Sequence, residues 1–314
     1  MKRIHATIIV NLMAAATLLV AGCTKEPTKE PALGDGVLAG LFTINGSGGQ
    51  VRFSQGNLQY QASTDTWRFA EHQWDYVGTQ TADVNGYSGG TVSGSDNSDL
   101  SSTYGGWVDL FAWGTSGWNS GAVLYHPCDT GKEATDYSPG GSETNGLTGS
   151  YAEADWAWHN PISNGGDTAH LWRTLTQEEW QYLLNTRNTT SGIRYAKAEV
   201  NNIKGVILLP DNWSASYYTL GSINTDSVDF TANIISASTW AGSLESNGAV
   251  FLPAAGFRLG LNVYHAGGSG FYWSTTPGDE MSACLMHFCK SCCNALSGGS
   301  RCIGHSVRPV MDNN

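Results

Sequence analysis

From Leu38 onward, apolar and polar residues alternate in short runs separated by glycine. The runs are Leu41-Phe42-Thr43-Ile44, Val51-Arg52-Phe53 and Asn57-Leu58-Gln59-Tyr60-Gln61. A period of two between Gly-rich turns predicts strands, arranged as hairpins near the start of a sheet. Between Thr79 and Gly106 apolar residues are few among Gly, Ser, Asp and Asn, the pattern of a long surface loop. The clearest helical signal is Trp172-Arg173-Thr174-Leu175-Thr176-Gln177-Glu178-Glu179-Trp180-Gln181-Tyr182-Leu183-Leu184. Thr176 can cap its first turn while Glu179 returns the bond, and Leu175, Trp180, Leu183 and Leu184 fall on one face. Glu178 and Glu179 point apart on such a helix and suit the positive end of its dipole, not an acid/base pair.

Val206-Ile207-Leu208-Leu209 reads as a buried strand ended by Pro210-Asp211-Asn212-Trp213. Val250 to Gly256 and Gly270 to Thr275 supply two more. The chain is therefore expected to be α+β: loop-rich β-sheets with a few helices. Aromatic residues broken by glycines run from Val108 to Asn119, and Trp156 and Trp158 follow later. Trp113 and Trp118 can stack on a sugar, or pack inside with their indole N–H groups satisfied. His159 beside Asp155 makes no dyad, because neither a nucleophile nor a metal-ligand spacing accompanies it.

The N-terminal residues change the picture of location. Lys2 and Arg3 precede an apolar run from Ala6 to Leu19, too short to span a membrane and suited to a signal peptide over residues 1–22. Val20-Ala21-Gly22-Cys23 resembles a bacterial lipobox, which implies acylation at Cys23 and a lipid-anchored chain on the outer membrane, exposed at the cell surface. Residues 23–37, with Lys25-Glu26-Pro27 and Lys29-Glu30-Pro31, read as a polar tether. One domain is expected over residues 38–314.

Of the 16 Lys and Arg, Lys2 and Arg3 leave with the leader, so 14 face 27 Asp and Glu and the formal charge is near −13. That balance argues against nucleic acid as a partner, which calls for basic patches. Charged residues make up 14% of the chain against 39 Gly and 12 Trp, which fits a neutral-surfaced fold with an aromatic core.

Four motifs occur in a fixed order: Arg173-Thr-Leu-Thr-x-x-Glu179-Trp180, Phe251-Leu-Pro-Ala-Ala-Gly256-Phe-Arg258, Gly270-x-Tyr-Trp-Ser274, and Gly304-x-Ser-Val-Arg-Pro-Val310. In this order they resemble the C-type-lectin-like fold of the formylglycine-generating-enzyme type, and within it the variable proteins of diversity-generating retroelements. The resemblance covers most of residues 38–310. It implies a surface-displayed ligand-binding protein, not an enzyme, with a variable C-terminal segment at about 257–305 rewritten by a retroelement at template adenines. Codons of the AAC type rewritten in this way never yield Met, Trp, Lys, Glu or Gln. From Ser282 to His305 only Met286 and Lys290 lie outside the reachable set.

Within that segment Ala283, Met286, Phe288, Arg301 and Gly304 look like a retained frame. A strand's alternation puts Met286 and Phe288 inward and Leu285, His287 and Cys289 outward. The expected ligand-binding residues are Phe257, Leu259, Leu261, Tyr264, His265 and Phe271, joined by Cys284, Leu285, His287, Cys289, Ser291, Cys292, Cys293, Asn294, Leu296, Cys302, Ile303 and His305. Large apolar groups among glycines are poor folding choices and good binding ones. Trp273 and Arg308 are expected to be structural. No cofactor and no metal are expected. The partner would be a protein or glycan on another cell or a phage surface.

Five of the seven cysteines lie between Cys284 and Cys302, and they leave other chemistry open. Cys289-x-x-Cys292 with His287 or Cys302 could take zinc, although no second pair stands at zinc spacing. Cys128 with the five makes an even number for disulfides, in pairings that spacing does not fix. Cys284 and Cys289 have the four-residue separation of the Cu(I)-binding pair in formylglycine-generating enzymes, which implies a Cu(I)-dependent oxidase as the alternative. The basic residues that accompany that pair in the family are missing here. A carbohydrate-binding adhesin without calcium is the further alternative, because the Glu-Pro-Asn and Trp-Asn-Asp signatures of calcium-dependent lectins are absent.

Overall fold

Period-two segments become sheet wherever a turn residue lets the chain double back, and the strand list follows the glycine and asparagine punctuation closely. The computed structural model describes residues 36–78, 102–118, 133–260 and 262–313. The predicted leader, Cys23, the tether as far as residue 35, Cys128, Leu261 and most of the predicted loop 79–106 lie outside the described residues. In chain order the elements are β1 (Phe42–Thr43), β2 (Gln50–Phe53), β3 (Leu58–Gln61), β4 (Thr66–Phe69), α1 (Trp156–His159), α2 (Gln177–Gln181), β5 (Tyr195–Val200) and β6 (Ile203–Leu208). They continue with β7 (Ile234–Ile235), α3 (Ala237–Thr239), β8 (Val250–Pro253), β9 (Phe257–Leu259), β10 (Asn262–Tyr264), β11 (Gly270–Pro277), β12 (Ser282–Cys289), β13 (Cys292–Ser300) and β14 (Val310–Asp312).

The fold is mixed α+β, built from small sheets with few and short helices. The largest sheet has the order β7-β5-β6-β8; two three-stranded sheets run β1-β2-β14 and β11-β12-β13, and β3-β4 and β9-β10 are hairpins. Local chemistry explains the turns. Asn201 and Asn202, between β5 and β6, both sit at positive φ, +49° and +65°, the two-residue turn whose twist matches the flanking strands. In β2, half-buried Gln50 and Arg52 alternate with buried Val51 and Phe53. The first strand runs are thus present, but they divide between two separate sheets.

The predicted helix forms with its capping box. Thr176 Oγ1 accepts from the Glu179 N–H at 3.1 Å, and the Glu179 carboxylate accepts from the Thr176 N–H at 2.8 Å. Glu179 also pairs with Arg173 at 2.8 Å, and Arg173 reaches Asp312 of β14, so the helix start is tied to the sheet that closes the fold. After α2 the chain passes into a wider turn, Tyr182–Thr186, which still delivers Leu183 and Leu184 to the core.

The sheet β11-β12-β13 is packed on both faces. On one face Tyr272, Met286, Phe288 and Ala295 join Phe42, Phe53, Trp180 and Leu252. On the other, Trp273, Ala283 and Leu285 join Trp67, Phe111, Trp113, Trp156 and Trp172. The indoles in this second cluster are satisfied: Trp113 donates to the Ser274 carbonyl, Trp156 to Thr115 and Trp273 to the Phe111 carbonyl, at 2.7–2.8 Å. Trp113 is core, whereas Trp118 is 39% exposed and meets Tyr151 edge-on.

Three buried arginines hold the C-terminal segment. Arg308 donates to Gln73 at 2.9 Å and to Asn57 at 3.4 Å. Arg301 lies 4.7 Å over the Trp113 ring and donates to the Ser282 carbonyl at 2.9 Å, to the Asp279 carbonyl at 3.2 Å, and to Ser138 and the Glu143 carbonyl. Arg258 exchanges both backbone hydrogen bonds with Gly304 at 2.8 Å. The buried guanidinium groups of Arg301 and Arg308 are tolerated because these partners replace their water. The frame expected of Met286, Phe288, Arg301, Gly304, Trp273 and Arg308 is the one the packing uses.

Candidate functional site

The outward face of β11 and β12 carries a run of rings. The register sets Phe271 opposite His287 and Trp273 opposite Leu285, so these four share a face, while Tyr272 and Met286 share the other. Phe271 stacks on His287 with centroids 4.4 Å apart and planes 6° apart. The hairpin β9-β10 leans over the end of this face. Phe257 meets Phe271 edge-on at 5.5 Å, and stacks with Tyr264 at 5.3 Å and His265 at 5.6 Å. Phe257, Tyr264, His265, Phe271 and His287 are all half-buried, so they form a ridge of rings with solvent on one side.

Glycine permits the ridge. Gly256 sits at φ +72°, and a Cβ there would run into the Tyr264 carbonyl, so only glycine lets β9 and β10 close against the sheet. Leu259 is 42% exposed beside it, and Leu296, on β13, is 64% exposed. Between Leu285 and His287 the pairing with β13 slips by one residue. The slip adds a residue to β13, with buried Ala295 followed directly by exposed Leu296. Ser291 and Asn294 are exposed, and Cys302 and Ile303 half-buried.

Two expected surface residues are buried, and a third, half-buried, turns its side chain to the core. Leu285 does face the same way as His287, but it is 2% exposed because a second core covers that end of the face. His305 is 3% exposed. Its backbone pairs with Phe111 in both directions, at 2.9 and 3.0 Å, and its ring is set against Trp273 at 4.5 Å and Phe271 at 5.3 Å. Cys293, opposite Phe288, turns to the core beside Tyr272 and Met286. Burial pushes its thiol up to about 12, so it stays protonated. Cys284 is half-buried at the far end of β12, with its sulfur 3.4 Å from the Pro277 carbonyl, and burial raises its value too.

Burial, with His265 as a second cause, lowers the His287 imidazole below its ordinary value. For His305 burial drives the value down to about 3, with His287 contributing, so the ring is neutral at any ordinary pH. Beneath the ridge lies an open cavity of about 260 Å³ lined by Phe257, Phe271, Leu285, Gly298, Gly299, Ser300, Ile303 and His305.

At the tip of the β12-β13 hairpin, Cys289 and Cys292 face each other and are joined as a disulfide across Lys290-Ser291. The Cys292 sulfur is 3.7 Å from His287 Nδ1. One ligand atom each from His287, Cys289 and Cys292 lies within 4.8 Å of the others, the one such threesome among the described residues. With both sulfurs engaged in the disulfide, the group offers a cation only the imidazole; reduced, it offers two thiols as well. Cys284 is remote from this tip, because five residues of strand at about 3.3 Å each separate it from Cys289 by on the order of 16 Å.

One supporting residue was missed by sequence reasoning. Buried Lys197 of β5 donates to the carbonyls of Asp226, Val228 and Lys290 at 2.6–3.2 Å, and thereby holds the hairpin tip. The available signal was a lysine at a core-facing position of Tyr195-Ala196-Lys197-Ala198. Elsewhere, His159 and His170 both contact Glu153, at 2.7 and 3.0 Å, and hold its carboxyl below its usual range. Asp155 instead accepts from Thr174 and Ala157 inside the core, where burial lifts it to about 6. No protein-family model, curated protein or solved structure matches the chain.

Proposed function

We propose that this chain is a lipid-anchored, surface-displayed binding protein: a C-type-lectin-like scaffold whose segment at about 257–305 is diversified by a retroelement to vary target recognition. The observation that carries the reading is the ring ridge itself. Phe257, Tyr264, His265, Phe271 and His287 come from four strands and an adjoining loop, touch one another, and remain half open to solvent on a sheet whose other face is solid core. Clustered, partly exposed aromatics on a stiff support are the composition of an interaction hot spot.

The segregation of roles favours diversification. Residues at outward positions, His287, Cys289, Cys292, Asn294 and Leu296, can be exchanged without opening the core, while Met286, Phe288, Arg301 and Arg308 beneath them are fully buried. Pairing of an early strand, β2, with the late strand β14 is consistent with a lectin-like closed fold. The partner would be a protein or glycan of another cell or a phage. A Cu(I) oxidase using Cys284 and Cys289 gains no support from a strand that holds the two sulfurs far apart.

The test is genetic and biochemical together. Sequencing around the gene should find a reverse transcriptase and a near-copy of the last coding segment that differs at adenines. Library display of chains varied at Leu259, Tyr264, His287 and Leu296 should select different binders on different cell surfaces. Peptide-oxidising turnover that depends on copper and Cys284 would overturn the reading.

A further inference from the structure

The tip of the β12-β13 hairpin gathers an imidazole and two sulfurs at one point of the surface. His287, Cys289 and Cys292 are each half-buried, and one ligand atom of each lies within 4.8 Å of the others. Cys289 and Cys292 are directly paired across a turn of only Lys290 and Ser291, with Cα atoms 5.0 Å apart, so their side chains leave the same face. His287, two residues before Cys289 on β12, shares that face. The Cys292 sulfur is 3.7 Å from Nδ1 and 3.8 Å from Nε2 of His287. A tetrahedral zinc with bonds of about 2.0 Å to nitrogen and about 2.3 Å to sulfur requires an N···S edge of about 3.5 Å, so this edge is already near its working length.

The support is stiff. Phe271, stacked 4.4 Å away, holds the imidazole, and Lys197 grips the Lys290 carbonyl at 3.2 Å. A separate contact points to charged sulfur: the Ser291 N–H is directed at Cys289 Sγ at 3.4 Å. Disulfide sulfur is a weak acceptor, whereas a thiolate is favoured by such a donor.

We propose that the tip, when reduced, is a zinc site in which His287, Cys289 and Cys292 supply three ligands and water completes the tetrahedron. Two thiolates and an imidazole suit zinc and disfavour calcium and magnesium, which call for oxygen. Charge also fits, because two thiolates neutralise the ion and a neutral complex loses little on half-burial. The structure shows the oxidised tip. A small dithiol converts it by exchange: the dithiol attacks the Cys289–Cys292 bond, leaves as its own cyclic disulfide, and gives two protein thiols. Zinc then displaces the two thiol protons as two Zn–S bonds and one Zn–N bond form. A disulfide oxidant runs both steps backward and releases the ion. Cys293 faces the core and Cys284 lies at the far end of β12, so neither competes for it. The site stands apart from the surface-binding reading, since a chain that binds no cell could hold it.

The experiment uses the full chain, reduced with a phosphine that is then removed, and titrated with zinc against a chromophoric chelator. Cobalt(II) serves as the spectroscopic stand-in. The reduced chain should keep its circular dichroism, take up one zinc, release about two protons, and give with cobalt the bands of a tetrahedral thiolate complex. Oxidised chain should bind at least about a hundredfold more weakly, having lost two ligands. His287→Ala leaves both thiols in place and should weaken zinc binding at least about tenfold. Cys292→Ser should lose most of the thiolate-to-cobalt absorption, and Cys284→Ser should match the parent. Zinc uptake that is absent from the reduced chain, equal in the oxidised one, or undiminished in His287→Ala or Cys292→Ser overturns the proposal, as does unfolding on reduction.

Discussion

Phe271 and His287 lie ring to ring across the β11-β12 ladder, 4.4 Å between centroids and 6° from parallel, over a backbone whose reverse side is fully buried by Tyr272 and Met286. The face they share is open only where they stand, because at Trp273 and Leu285 a second core covers it.

That division predicts opposite outcomes for neighbours. His287→Ala or Tyr264→Ser removes a partly exposed cross-strand contact, and should cost no more than about 1 kcal/mol in denaturant unfolding. Trp273→Ala, two residues from Phe271, opens a cavity among Phe111, Leu285 and His305 and should cost about 3–5 kcal/mol. Equal losses for all three variants would mean that the ridge is core.

Acid should find His305. Its folded value, about 3, lies below the value near 6.5 of an unfolded histidine. Its contribution is therefore whole above pH 6.5 and is lost as pH falls toward 3. The loss is about 1.4 kcal/mol per pH unit, or about 2 kcal/mol by pH 5. Asp155 acts in the opposite sense, since a carboxyl raised to about 6 in the folded state stabilises the native form when it is protonated. The unfolding free energy of the parent minus that of His305→Phe, measured from pH 7.5 to 4.5, isolates the histidine. A flat difference would show that the ring is not held neutral.

Thiol chemistry should sort the cysteines. Alkylation of the native, unreduced chain followed by peptide mass analysis should leave Cys289 and Cys292 unmodified and linked. Cys293, whose thiol is pushed up to about 12, should label more slowly than Cys284 or Cys302, because only the thiolate reacts. Fast labelling of Cys293, or of the Cys289 pair without reductant, contradicts the packing.

Arg301→Lys should not behave as a conservative change. A single ammonium cannot serve Ser138, Ser282, Asp279 and Glu143 together or lie flat over Trp113, so a loss of about 2–4 kcal/mol is expected by thermal or chemical unfolding. A melting curve superimposable on the parent's would remove Arg301 from the frame.

What the sequence made legible was local. Thr176 and Glu179 announce their helix because both halves of the capping box lie within one turn, and Met286 and Phe288 announce a core face because their spacing is the strand's own. The misplaced residues failed for a long-range reason. Leu285 and His305 are buried by segments far away in sequence, around Phe111 and Trp113, and no periodicity near residue 285 or 305 carries that information. Cys293 sits on the core side because the one-residue slip in β13 comes only after it, near Ala295 and Leu296, and bulges leave a faint trace in sequence. Lys197 went unread because the carbonyls of Asp226, Val228 and Lys290 that hold its buried amine lie far away in sequence.

The pairing of β2 with β14, Phe53 beside Val310, sets a condition on how the chain is made. A ribosome releases β2 early and β14 nearly a whole domain later, so the first sheet must wait, with one edge bare, until the residues of β14 have been made. Any cell that makes this chain has to keep that edge from zipping onto a neighbour in the meantime, which makes protection of the half-built sheet a requirement of its architecture.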